Sequence, residues 1–345
     1  MSRANDTSMF RTLPLSTDLS LRRRFMVVAE PLLGNLRFGL LLEVLDKLAE
    51  DTALAYVNRF APDARVVTAA IDNIIVRHAA DVTQDLAFHA RINYVGRTSM
   101  EVGIRVEHPG DPSIHIATCH FTMVARSGMG EGATSVQIPP LEYVDELEKE
   151  RAAKAIESRE EYRQEEAASK EPPSHEEFIL LDKLHHAQEE PGFQGLLAGN
   201  LVTEAWERMY PEQENVPQKI FGGYLVRRAY EISSICAEMV ATHRPVIVAV
   251  NRINFFHPVR LGDKLHYTSR IVYTGKTSIS VEASIRRISR DRSSTALSNS
   301  CLFTFVNVDG DLKRQSVPTI YPVTYAEDAR YLMGYRRHRD LAHHN

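Results

Sequence analysis

Polar residues interrupt a largely apolar stretch early in the chain, four of them at helical spacing. Glu43, Asp46, Lys47 and Glu50 sit among Phe38, Leu40, Leu41, Leu42, Val44, Leu45, Leu48, Ala49, Ala53 and Leu54. Their spacing of i, i+3, i+4 and i+7 puts all four on one stripe of a helix. Such a stripe has two readings. It is a solvated face carrying a Glu43–Lys47 pair, or it lies under a sheet, where a trapped carboxylate acquires a raised pKa and serves as base or nucleophile. A second stretch, NVPQKIFGGYLVRRAYE from Asn215 to Glu231, raises a different question. Glycine inside a helix costs about 0.8–1.0 kcal/mol relative to alanine, yet Gly222 and Gly223 stand where a helix begins. One reason is a tight entry turn with positive φ. The other is an oxygen approaching the first free N–H groups of the helix, where no side chain blocks it. Glu231 in the same stretch has Arg227 and Arg228 at i−4 and i−3, which suits an intrahelical ion pair rather than catalysis.

Other reactive residue types carry weaker signals. SGMGEGATS (Ser127 to Ser135) resembles a glycine-rich phosphate loop but does not lead into a helix, and reads as a flexible connection. Neither a G-x-S-x-G elbow nor an H-E-x-x-H pair is present. His257-Pro258 reads as turn chemistry, with a place beside a pocket as the second reading. His89 and His120 fall on strands and read as structural. Cys119 and Cys301 read as small buried hydrophobes. Arg336, Arg337 and Arg339 read as a solvated terminus that a nucleotide phosphate would also suit.

The elements that must position these residues come twice. YVGRTSMEV (Tyr94 to Val102) answers YTGKTSISV (Tyr273 to Val281) at an offset of 179, and the same offset carries Ile71–Ile74 onto Val250–Ile253. CHFTMV and CLFTFV match at 182, and the helix starts at about 183–184. Small drifts between long matches mark loop insertions between two copies of one domain. Each copy reads as a long apolar helix, roughly Phe38 to Asn58 and Gly223 to Thr242, followed by strands with period-two alternation. In copy two the strands are expected at about 246–256, 264–273, 278–288 and 295–306, with Gly275 (and Gly96 in copy one) at a hairpin. A helix followed by an antiparallel meander is an α+β layout in which the helix must cover the sheet. Residues 1–140 and 196–345 are the expected domains. The segment 141–195 is the expected charged helical linker; its run from Asp145 to Glu171, closed by Pro172-Pro173, reads as solvated, with a partner-binding helix as the second reading. Aligning Gly39 with Gly223 sets Asp46 opposite Tyr230, one residue short of Glu231, so the two carboxylates are not equivalent and one active site is expected.

Composition bounds the partners. The 345 residues are 43% hydrophobic and 25% charged with a net charge of −4, which lacks the basic excess of a nucleic-acid binder. No apolar run approaches the roughly 18–20 residues that span a bilayer. Cys119, Cys236 and Cys301 lack metal-ligand spacing and suit a reducing compartment. The N-terminus holds Arg22-Arg23-Arg24 but also Asp6 and Asp18, and reads as mature sequence.

Taken together, LRRRF…RFGLLLEVLDKLA, VTAAIDNI, YVGRTSMEV, FTMVAR, NVPQKIFGGYLVRRAYE and VIVAVNRINFFHPVRLGD resemble the double-hotdog acyl-CoA thioesterases, and within them the acyl-CoA thioesterase 9 family. The resemblance runs from about residue 6 to residue 338. It implies tandem hotdog domains, each a long helix wrapped by an antiparallel sheet, and hydrolysis of acyl-CoA to fatty acid and CoA. It implies a composite site, with Asp46 of one copy facing Asn215 of the other. Gly39, Gly222 and Gly223 would polarise the carbonyl, and Arg97 and Lys276 would meet the nucleotide. A mirror site would fall near Asn35 and Glu231 and be weak or dead. No metal and no cofactor beyond the CoA of the substrate is implied, and a homo-oligomer, a dimer or trimer of double hotdogs, is expected. The family's address is the mitochondrial matrix, whereas a resemblance that starts near Asp6 leaves no room for a long transit peptide and points to the cytoplasm. The competing readings are a hotdog enoyl-CoA hydratase and a non-catalytic acyl-CoA sensor.

Overall fold

The computed structural model describes residues 2–30, 32–128, 132–168, 171–216, 219–220 and 222–343. The first copy runs β1 (Met9–Leu13), α1 (Leu19–Phe25), α2 (Phe38–Val57), β2 (Arg65–Ile71), β3 (Ile74–Val76), β4 (Leu86–Val95), β5 (Ser99–His108), β6 (Ile114–Ser127) and β7 (Thr134–Ser135). Helices α3 (Glu146–Ala168) and α4 (His175–Glu189) and β8 (Leu196–Leu197) lead to the second copy. That copy holds β9 (Val202–Arg208), the small hairpin β10 (Glu214–Val216) and β11 (Lys219–Ile220), and α5 (Gly222–Ala237). Then follow β12 (Arg244–Val250), β13 (Ile253–Phe255), β14 (Lys264–Thr274), β15 (Ser278–Ile288), β16 (Thr295–Val308), β17 (Ile320–Tyr321) and α6 (Tyr325–His343).

Each long helix is wrapped by its own antiparallel sheet, and the two sheets join edge to edge. The seam repeats the symmetry of the sequence. Ile71 and Ala70 of β2 pair with Ile253 and Asn254 of β13, and Val250 and Ala249 of β12 pair with Ile74 and Ile75 of β3. At the seam Arg252 N donates to Asn73 Oδ1 at 2.7 Å and its guanidinium pairs with Asp72. The strand expected at 246–256 is therefore two strands, broken where the chain crosses from one partner to the next. On the concave side α2 and α5 pack on each other, which is why α2 is apolar nearly all round: one face meets its sheet and another meets α5. Helix α5 ends at Ala237, short of Thr242, and the chain turns there with Met239 N donating to Cys236 O.

The segment between the copies is helical and mostly exposed, but one stripe of it is packed rather than solvated. Ala152, Ala155 and Glu148 of α3 are buried, and α3 packs on β4 with the Arg159 guanidinium 5.1 Å from the Tyr94 ring centre. Helix α6 does the same on β14, where Tyr331, Tyr335 and His338 surround Tyr273, the repeat mate of Tyr94. Both helices start alike. Glu148 accepts from the backbone N–H groups of Val144 and Asp145, and Glu327 from those of Val323 and Thr324. A closing helix is thus part of each repeat, hidden from periodicity because only one narrow stripe of it is buried. Of the C-terminal arginines, Arg336 is built in, its Nε 2.7 Å from Glu177 Oε1 of α4, while Arg339 stays exposed with its guanidinium 5.8 Å from the Tyr335 ring centre. At the other end, Ala4 and Thr7 are buried and β1 pairs with β4. Cys119, Cys236 and Cys301 are buried thiols.

Candidate active site

Helix α2 carries Asp46 to its boundary with α5, where the side chain is 1% exposed. Two donors from different elements hold the carboxylate. Thr68 Oγ1 on β2 donates to Oδ1 at 2.5 Å, and the backbone N–H of Gly223, from the other copy, donates to Oδ2 at 2.7 Å. Gly223 is the second residue of α5, so the carboxylate meets the free N–H groups and positive dipole end of that helix. A bulge between Thr68 and Ala70, repeated between Ile247 and Ala249, bends the strand where Thr68 reaches the acid. Burial pushes the Asp46 pKa up to about 6, and Glu50 adds to the rise, while the Thr68 and Gly223 hydrogen bonds and Lys47 pull the other way. A carboxylate with such a pKa is mostly ionised at neutral pH and can accept a proton.

A cavity of about 310 Å³ opens beside this contact, with walls from both copies. Thr68, Val124 and Arg126 contribute from the first, and Gly222, Leu225, Phe255 and His257 from the second. Gly222 keeps this approach open: a Cβ there would lie 3.2 Å from the Phe255 ring and 3.4 Å from Asp46 Oδ2. His257 combines the two readings of the sequence, since it sits at a turn, 2.9 Å from the carbonyl of Leu297, and lines the cavity.

The mirror position is filled. In repeat register Tyr230 replaces Asp46, Ile247 replaces Thr68 and Phe38 replaces Gly222. The Tyr230 ring packs 5.4 Å from Phe38 and 5.6 Å from Phe303, which leaves an apolar plug. Glu231 is held by three guanidiniums: Arg37 at 2.6 Å, Arg228 at 2.9 Å and Arg227 at 3.5 Å. Arg37 comes from the other copy and was invisible to spacing. Asn35 is buried and spends its amide on the loop before α2, accepting from Val27 N and Val28 N and donating to Val28 O and Glu30 O.

The remaining expected residues fall elsewhere. Gly39 does not face Asp46; a Cβ there would lie 2.9 Å from Arg227 Cγ and 3.2 Å from Tyr230 Cδ1, so the residue permits close packing of α2 on α5. Glu43 pairs with Arg227 at 3.0 Å instead of Lys47, which turns to Glu50 and Asp51. Arg97 and Lys276 are exposed at hairpin tips and do not line this cavity. Asn215 lies on β10, on the approach to α5, and its side chain is outside what the structure describes, as are residues 129–131 of the glycine-rich loop. Thr68 is the residue that sequence reasoning missed. Strand alternation alone does not aim it at Asp46, because the bulge resets the parity. Among the described residues no three His, Cys, Asp or Glu side chains are grouped to hold a metal ion.

The chain carries two thioesterase-superfamily domains in tandem: a family model with the description "Thioesterase superfamily" matches residues 39–114 and again residues 218–293. Along almost its whole length it is similar to human "Acyl-coenzyme A thioesterase 9, mitochondrial", with 28% identity over 357 residues, 99% of this chain and 79% of that protein. The protein of the same name from Mus musculus is 29% identical over 350 residues, 96% of this chain and 76% of that one. Among solved structures, the 12:0-ACP thioesterase from Umbellularia californica superposes with a TM-score of 0.52 at 9% identity, over 86% of this chain and 96% of that chain, a likeness of fold.

Proposed function

We propose that the protein hydrolyses acyl-CoA thioesters to fatty acid and CoA at one composite site, where Asp46 of the first copy meets the start of α5 in the second. The observation that carries this reading is the buried Asp46 carboxylate hydrogen-bonded to Gly223 N across the two copies. The thioester carbonyl lies over the start of α5, where the Gly222 N–H and the helix dipole stabilise the developing oxyanion while the Gly223 N–H holds Asp46. Asp46 takes a proton from water, and the water oxygen bonds to the carbonyl carbon. The tetrahedral intermediate collapses, the C–S bond breaks, and the proton held by Asp46 passes to the CoA thiolate. Thr68 orients the carboxylate through its 2.5 Å hydrogen bond, and Asn215 orients water or carbonyl from the approach to α5. The reaction needs only water as co-reactant.

Asp46→Asn and Asn215→Ala each lose turnover by about 10²–10⁴-fold, read as thiol release from acyl-CoA, while Glu231→Gln stays within a few-fold of the native rate. Retention of activity in Asp46→Asn with loss in Glu231→Gln would sink the assignment. A single turnover in heavy-oxygen water separates the roles of Asp46: a base leaves the label in the fatty acid, a nucleophile in its own carboxylate. Binding without thiol release would mark a sensor, and loss of enoyl absorbance without it a hydratase. Assembly of double hotdogs into a dimer or trimer belongs to the same proposal, supported by Trp206, 62% exposed on the edge strand β9. The relatives' names carry a mitochondrial address, and the matrix is the compartment we propose.

A further inference from the structure

A second, larger hollow of about 790 Å³ opens beside the first, built by the second copy alone. The two share a wall, because His257 and Pro258 line both. Three arginines, Arg260, Arg287 and Arg290, line the larger hollow together with Asp263 and Asp291. The carboxylates are engaged locally. Asp263 Oδ2 accepts from Arg260 N at 3.0 Å and lies 3.5 Å from Arg287 Nη1, and Asp291 Oδ1 accepts from the hydroxyls of Ser289 and Ser293 at 2.7 Å. The Arg287 side chain is only 14% exposed, its Nη2 donates to Ser294 Oγ at 3.0 Å, and its buried Nε has no hydrogen-bond partner among the described residues. Arg290 lays its stem over Gly262, and its guanidinium makes no hydrogen bond or ion pair among the described residues.

A buried guanidinium N–H without a partner is a donor awaiting an acceptor. Planar N–H forks set among serine hydroxyls match the oxygens of a phosphate ester. We propose that this hollow binds the phosphorylated nucleotide end of the CoA moiety while the thioester lies at Asp46, an inference that rests on the thioesterase reading. The His257–Pro258 ridge takes the uncharged pantetheine arm between the two. His257 contacts Leu297 O, and Ser294 lies three residues further along the same segment, about 10 Å away at strand rise. Arg97 and Lys276 are exposed on hairpin tips and line neither the Asp46 cavity nor this hollow.

The test uses the full chain with Arg290→Ala, alone and combined with Arg260→Ala. Arg287 is left in place because its loss would strip buried Asp263 of a partner. Calorimetry with free CoA and with pantetheine is the first readout. The native protein binds CoA at least about tenfold more tightly than pantetheine, the gain of one or two charge-assisted contacts, and the double variant loses that preference while its affinity for pantetheine is unchanged. In turnover, KM for an acyl-CoA rises about tenfold at constant kcat, and the kinetics of the matching acyl-pantetheine do not move. A preference for CoA that survives both substitutions, or is absent from the native protein, overturns the site. Absence of thiol release from every substrate defeats the hydrolase reading instead, and the CoA-against-pantetheine comparison still decides this hollow.

Discussion

Asp46 and Glu231 are both helical carboxylates near the α2–α5 boundary, and their surroundings separate them. Glu231 is surrounded by three guanidiniums, so removing its charge strips partners from a cluster and acts on stability rather than turnover. Asp46 has neutral donors and burial around it, and burial wins, raising its pKa to about 6. A base works in its ionised form, so kcat/KM should climb as pH rises through about 6 and level off above neutrality. Thr68→Val removes a hydrogen bond made to the ionised form. The proton is then held more tightly, and the acid limb should move upward by about one pH unit, the equivalent of one such bond. A pH–rate profile of the two proteins checks both statements; an unmoved limb means that the ionisation belongs to another group.

The packing of the two long helices sets the Asp46–Gly223 distance on which the proposed chemistry depends. Gly39 and Gly223 are repeat mates with different neighbours, Gly39 against Arg227 and Tyr230, Gly223 against Asp46. Alanine at position 39 gains about 0.8–1.0 kcal/mol of helix propensity. It also places a methyl 2.9 Å from Arg227 Cγ and 3.3 Å from the Arg227 carbonyl, and overpacking of this kind costs about 1–3 kcal/mol. The backbone contact cannot swing aside, so the second effect wins. Gly39→Ala should lower the melting temperature and, by parting α2 from α5, reduce kcat more than KM. A melting curve with steady-state kinetics tests this, and an unchanged or raised midpoint contradicts it.

At the scale of the molecule, a continuous sheet crosses the seam through β2–β13 and β12–β3, and the Asp46–Gly223 contact on which the proposed site rests exists only because both copies are held there. Dividing the chain at Pro172-Pro173 leaves Asp46 on one piece and Gly223 on the other, each with a bare strand edge at the former seam. Neither piece should release thiol alone, each should self-associate through that edge, and mixing should restore activity. Sedimentation and a thiol assay of the pieces and their mixture measure this. Native turnover by either piece alone rules out the composite site.

Local pattern determined a great deal here. The repeat at an offset of 179, the order of helix and strands, and the replacement of Asp46 by Tyr230 in copy two are all written in spacing. Periodicity registers which face of an element is apolar, and a repeat registers equivalence. Neither states which surfaces meet. Tertiary structure decided that α3 and α6 close the sheets, that Arg37 reaches Glu231, and that a bulge turns Thr68 onto Asp46. It also decided which glycine the acid touches: Gly223 at 2.7 Å, 177 residues away, rather than Gly39 on its own helix. The physical reason is distance along the chain. Seven residues of α-helix hold Asp46 about 10 Å from the start of its own helix, and only the packing of α2 on α5 brings it to the start of the other.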